Sequence, residues 1–136
     1  MTKKIKKLYP KGTPRFTLKE EPVDYNSLTP IFSFRHMKYR SDNCLSQCSE
    51  DSKSSVVNTL LKISQLSWNQ IASAPRTGLG FESIPLHRFS VPLPPIVTEE
   101  VTNLKVFRYS GSGRVAGIRE KDIYHILLVG TNLYTH

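Results

Sequence analysis

Along the first thirty residues apolar positions are scarce and follow no period; from Pro30 onward they organise into elements. Ile31-Phe32-Ser33-Phe34-Arg35-His36-Met37 alternates, with Phe32, Phe34 and His36 on one side, as a half-buried strand does. The polar stretch from Ser41 to Lys53 has no periodicity and reads as a loop or the approach to a helix. Val56, Val57, Leu60, Leu61, Ile63 and Leu66 then recur at helical spacings, which predicts an amphipathic helix from about Lys53 to Gln65 with Ser52 as its N-cap. Ser67 is placed to cap a second short helix, Trp68 to Ser73, which Pro75 ends. Trp68 reads as a core anchor, because a lone large aromatic in such a helix is most often buried. Pro75, Gly78, Gly80, Pro85, Pro92, Pro94 and Pro95 then restrict the chain to short extended pieces, Phe81 to Ile84 and Leu86 to Val91.

The clearest pattern begins at Leu104. Leu104 to Tyr109 is a strand, Ser110 to Gly113 a tight turn, Arg114 to Arg119 the returning strand, and Glu120 to Asp122 a second turn. Ile123 to Val129 is nearly continuously apolar, as in a central strand covered on both faces, and Gly130-Thr131-Asn132 breaks it. With Gly111-Ser112 as the loop, Tyr109 falls opposite Arg114 and Phe107 opposite Ala116. That register puts Lys105, Phe107, Tyr109 and Arg114 on one face, and Arg108 and Arg119 on the other. The fold class is therefore α+β: short N-terminal helices packed on an antiparallel β-sheet meander of about four or five strands. Residues 1–30 read as a basic, proline-punctuated arm and residues 31–136 as a single α+β domain.

Composition adds a hint of function. The 136 residues suit one domain and one core. The net charge is +8 and the isoelectric point about 9.7. Such a surface attracts phosphate backbones, although charge also serves solubility and acidic protein partners. Lys3, Lys4, Lys6 and Lys7 make the arm a candidate RNA contact. No apolar run reaches the roughly 18 to 20 residues that span a bilayer, and no apolar segment follows the basic start as in a secretory signal. No membrane partner is expected. Two cysteines, Cys44 and Cys48, in a chain without an export signal suit a reducing compartment, hence a cytoplasmic protein.

A sheet face with interleaved cations and rings suits RNA, since guanidinium groups hold phosphate and rings stack on unpaired bases. The competing reading is a structural ladder in which rings cover arginine stems; for Arg108 and Arg119 both stay open, and Arg114 leans towards function. His125, inside an apolar strand, reads as a core histidine. Cys44 and Cys48 supply two thiols where structural zinc usually takes about four ligands, and His36 and His87 have no matching spacing. No phosphate-binding glycine loop or nucleophile elbow is present, and the eleven acidic residues are scattered, which argues against two-metal chemistry. No cofactor and no metal is expected.

The stretch LKVFRYSGSGRVAGIREKDIYHILLVGTNLY resembles the C-terminal part of toxins in the RelE/ParE superfamily. Their pattern is a basic strand, a small glycine-containing turn, an arginine opening the next strand, an apolar strand ending in Val-Gly, and a terminal Tyr or His. After Val129-Gly130 the family often has a basic residue where this chain has Thr131 and Asn132. The resemblance implies a small, basic, ribosome-dependent mRNA endonuclease held inactive by a cognate antitoxin. It also implies roles: Arg114 on the scissile phosphate, Lys105 facing the cleaved nucleotide, Arg108 as a second basic position, Tyr134 as the terminal tyrosine and His136 as the histidine beside it. Metal-free cleavage would use the substrate 2′-OH as nucleophile, with Arg114 and Lys105 stabilising charge and His136 acting as acid or base. The alternatives are a non-catalytic RNA- or ribosome-binding protein, a toxin relative that inhibits a protein target, and an interaction protein of a mobile element.

Overall fold

The computed structural model of the chain describes residues 22–135. Two helices lie against a five-stranded mixed sheet, an α+β arrangement. Helix α1 spans Glu50–Ile63 and is capped by Ser49, whose hydroxyl accepts from the Ser52 N–H at 3.1 Å. Glu50 and Asp51 in its first turn and Lys62 in its last complement the helix dipole. It starts three residues before the expected Lys53, because the polar first turn leaves no apolar trace and the cap is Ser49, not Ser52. Helix α2, Trp68–Ser73, matches its predicted bounds: Ser67 and Gln70 form a reciprocal capping box.

The strands are β1 (Ile31–Ser33), β2 (Glu82–Pro85), β3 (Asn103–Arg108), β4 (Arg114–Glu120) and β5 (Ile123–Gly130), in the order β1-β5-β4-β3-β2. The pairs β2–β3, β3–β4 and β4–β5 are antiparallel, as the meander requires. The sheet is not wholly antiparallel, however. β1 runs parallel to β5 and covers the edge β5 would otherwise expose. β1 also stops at Ser33, and Phe34, expected on its buried side, is 44% exposed. The reason is local: the Ser33 hydroxyl accepts from the Arg35 N–H and turns the chain.

Both sheet faces are covered. On one, Val56 and Ile63 of α1 and Trp68 and Ile71 of α2 pack on Phe107, Val115, Tyr124, Ile126 and Val129. On the other, the proline-rich segment replaces a helix layer: Leu86, Phe89, Val91, Leu93 and Val101 lie over Leu104, Val106, Ala116, Leu128 and Leu133. β5 is therefore buried from Tyr124 to Val129. Leu127 is the extra residue of a bulge, since Ala116 pairs with Leu128 but Gly117 with Ile126. Gly117 is needed there, because a Cβ would stand 2.1 Å from the His125 carbonyl oxygen and 2.9 Å from the Tyr124 ring. Residues 24–30, the end of the segment read as an arm, pack on α2: the Trp68 N–H donates to Leu28 O at 3.0 Å and Pro30 is buried.

Candidate nucleic-acid interface

The hairpin between β3 and β4 differs from the sequence expectation by one position. Phe107 pairs with Val115 and Arg108 with Arg114, leaving Tyr109–Gly113 as a five-residue loop closed by the Tyr109 N–H donating to Gly113 O. Side chains alternate along a strand, so this register moves Arg114 to the face of Arg108, Val106 and Ala116. Lys105 belongs to the opposite face, as does Arg119, which pairs with Tyr124. The expected grouping of Lys105 with Arg114, and of Arg108 with Arg119, is thus replaced by Arg108 with Arg114 and Lys105 with Arg119.

The Arg108–Arg114 pair has unusual electrostatics. Two guanidinium-bearing residues stand directly opposite each other in an antiparallel ladder, where like charges destabilise. Neither makes an ion pair among the described residues. Arg114 Nη1 donates to the carbonyls of Ser110, Gly111 and Gly113 at 3.3, 3.1 and 2.9 Å. Those bonds fix the guanidinium over the loop and leave its Nε–Nη2 edge without a partner among the described residues. That edge is the one suited to bidentate phosphate contact. Arg108 makes no hydrogen bond among the described residues.

Lys105 and Arg119 are engaged in packing. The Arg119 guanidinium lies 4.2 Å over the Trp68 ring, Trp68 stacks on Phe81 at 5.2 Å and 10°, and Lys105 Nζ sits 5.3 Å over Phe81. Arg119 also donates to Lys121 O at 2.6 Å and to Asn26 Oδ1 at 2.7 Å. Burial lowers the Arg119 pKa, with the nearby Asp122 charge opposing. Trp68 itself is 3% exposed and donates its indole N–H to Asp122 O, the core anchor its position predicts.

Tyr134 returns to the Arg108–Arg114 face, packed on the same apolar cluster as Val106 and Ala116. Its ring lies 5.3 Å from Phe89, and Phe89 and Tyr134 form an antiparallel bridge extended by Thr135 N–H donating to Arg88 O. His136, Lys3, Lys4, Lys6 and Lys7 lie outside the described residues. His125 is buried; its Nε2 is 3.1 Å from Glu120 Oε1, its ring 4.9 Å from that of His36, and its Nδ1 has no partner among the described residues. Cys44 and Cys48 are free thiols, and no group of three metal-ligating side chains occurs among the described residues. Burial raises the Cys44 pKa, but hydrogen bonds from the Ser46 hydroxyl and from the backbone of Ser46, Arg40 and Ser41 outweigh it and leave the thiol below its usual value.

Beside Gly130, the cross-strand partner of Arg114, a cleft of about 250 Å³ is lined by Asp42, Asn43, Gln47, Tyr109 and Thr131. Asn43 is brought there by its carbonyl, which accepts from Val129 N–H at 2.9 Å. The aperiodic 41–53 stretch held no sequence signal for this placement. No helix among the described residues is long and apolar enough to cross a membrane. The chain matches no family model, no curated protein and no solved structure, so its functional reading stands on this geometry.

Proposed function

We propose that the chain is a basic RNA-binding protein that grips phosphate at the Arg108–Arg114 rim and works on cytoplasmic mRNA or at the ribosome. The observation behind this reading is the pair itself: two arginines facing each other across a ladder, neither in an ion pair among the described residues, and one with its bidentate edge left open by the loop carbonyls. Such a pair destabilises the free protein and is relieved when an anion binds between or beside the two charges. In a titration with single-stranded RNA, Arg108→Ala and Arg114→Ala should each weaken binding and each reduce the salt slope by about 0.7. Unchanged affinity in the double variant would overturn the assignment.

A toxin-like, ribosome-dependent mRNA endonuclease, restrained by a cognate antitoxin, is the second reading. It is favoured by one observation, that Tyr134 comes back to the face of Arg108 and Arg114 and is followed two residues later by His136. In this reading Arg114 holds the scissile phosphate and His136 moves the proton; Lys105, over Phe81 on the far face, stands apart from them. Cleavage of mRNA in a ribosome-containing extract, lost in Arg114→Ala and in His136→Ala, would establish it. RNA binding without cleavage in that extract would leave the binding function alone.

A further inference from the structure

We infer that the cleft beside Gly130 is a pocket for one unpaired nucleobase of the strand that the Arg108–Arg114 rim grips. This rests on the RNA-binding reading above and deepens it, from an electrostatic grip to recognition of a flipped-out base.

Three features support it. The first is size: at about 250 Å³ the cleft falls below the roughly 300–1,000 Å³ of pockets for drug-sized ligands, and so suits a single ring system. The second is the Tyr109 platform. Tyr109 lies directly over Gly113, where a Cβ would come 2.3 Å from its Cζ, and the Gly113 N–H donates to the Ser110 hydroxyl at 2.8 Å. A glycine under the ring and a bonded loop hold it in place, so a base can stack without first ordering it. The third is the polar rim. Asp42 offers an acceptor, Asn43 and Gln47 offer amides with both donors and acceptors, and Thr131 a hydroxyl. These are the groups that read the edge of an unpaired base, and Asp42 favours bases that present an amino group over uracil.

The position matters as much as the lining. Gly130, in the cleft wall, pairs with Arg114, whose guanidinium is tethered over the loop that also carries Tyr109. Tyr109 packs on the α1 side of the sheet with Phe107, and Arg114 starts from the other side, so a strand seated on Tyr109 would meet Arg114 around the hairpin tip.

The test compares two oligoribonucleotides of equal length and charge, one intact and one with abasic positions throughout, titrated into the full chain. The wild type should bind the intact strand roughly tenfold more tightly, and a 2-aminopurine in it should be quenched on binding. Tyr109→Leu and Gly113→Ala should abolish both the preference and the quenching while the salt slope stays unchanged. Gln47→Ala, at an exposed position that cannot unfold the protein, should reduce the preference by a few-fold. Equal binding of the two strands by the wild type would overturn the pocket and leave the phosphate grip standing, as would full preference retained in both Tyr109→Leu and Gln47→Ala. If the wild type binds neither strand, the RNA-binding reading itself fails and the pocket with it.

Discussion

Replacing Tyr124 by phenylalanine tests the centre of the sheet with a single atom. The side chain is wholly buried, and its hydroxyl donates to Lys105 O at 2.6 Å, with Val115 O at 3.4 Å. Phenylalanine keeps the ring, which meets Phe107 edge-on at 5.1 Å and Phe32 at 6.1 Å, so the aromatic packing survives. What is lost is one buried hydrogen bond whose acceptor is left facing carbon, a cost of about 1–2 kcal/mol. For a domain of this size that lowers Tm by about 3–10 °C. A second signature separates this from a packing defect. Burial holds the Tyr124 phenol well above its usual value, whereas in the unfolded chain it ionises near about pH 10. Below that pH both states keep the proton and the residue contributes fully. Above it the unfolded state alone releases the proton, so the contribution falls by about 1.4 kcal/mol per pH unit until the folded phenol titrates. Urea titrations of both proteins at pH 7, 10 and 11 measure the effect. The stability gap should be widest at pH 7 and close at alkaline pH, where only the wild type carries this loss. A gap below about 0.5 kcal/mol at pH 7, or one that stays constant to pH 11, would refute the reasoning.

Other substitutions probe separate elements. Gly117→Ala forces a methyl against the His125 carbonyl and the Tyr124 ring and should cost about 1–3 kcal/mol by chemical denaturation. Ser49→Ala should cost about 1 kcal/mol and Ser52→Ala almost nothing, a contrast that thermal melts resolve and that would reverse if the helix began where the apolar period does. Lys121 adopts a left-handed backbone (φ 59°) in the turn between β4 and β5, so Lys121→Gly should raise stability by up to about 1 kcal/mol in the same melts. Arg119→Ala removes the cation over Trp68 and the Asn26 contact, and should lower stability by about 1 kcal/mol while leaving RNA affinity nearly unchanged; an RNA-binding loss equal to that of Arg114→Ala would place Arg119 in the interface instead.

The sequence carried the elements better than their relations. α2 matched because a cap and a proline mark both its ends, and the three meander strands fell within a residue of their bounds because apolar runs and the polar or glycine-containing turns between them mark theirs. Pairing is a different matter. Apolar alternation at Ile31–Met37 announces a strand but names no partner, and its parallel docking on β5 depends on residues some ninety positions away. The hairpin register was open for a physical reason: Ser110-Gly111-Ser112-Gly113 can close a two-residue or a five-residue loop, and the difference of one position puts Arg114 on the face opposite Lys105. Arg114 and Arg108 were visible as candidates, but their juxtaposition was not. Asn43 and Gln47 left no periodic trace at all, since one backbone hydrogen bond to Val129 brings that loop to the cleft.

The parallel seam between β1 and β5 also fixes an order of events. β1 is made early and its partner more than ninety residues later, so as the polypeptide leaves the ribosome the apolar undersides of α1 and α2 have no sheet to rest on. The meander's pairings are local, so it is expected to form first and to recruit β1 and the helices onto it. High sequence separation of this kind slows folding and lengthens the interval in which sticky surface is open to other chains. A nascent chain arrested before residue 123 emerges should therefore be protease-sensitive throughout and bind holdase chaperones, and extending it until Gly130 has cleared the exit tunnel should release them in a single step.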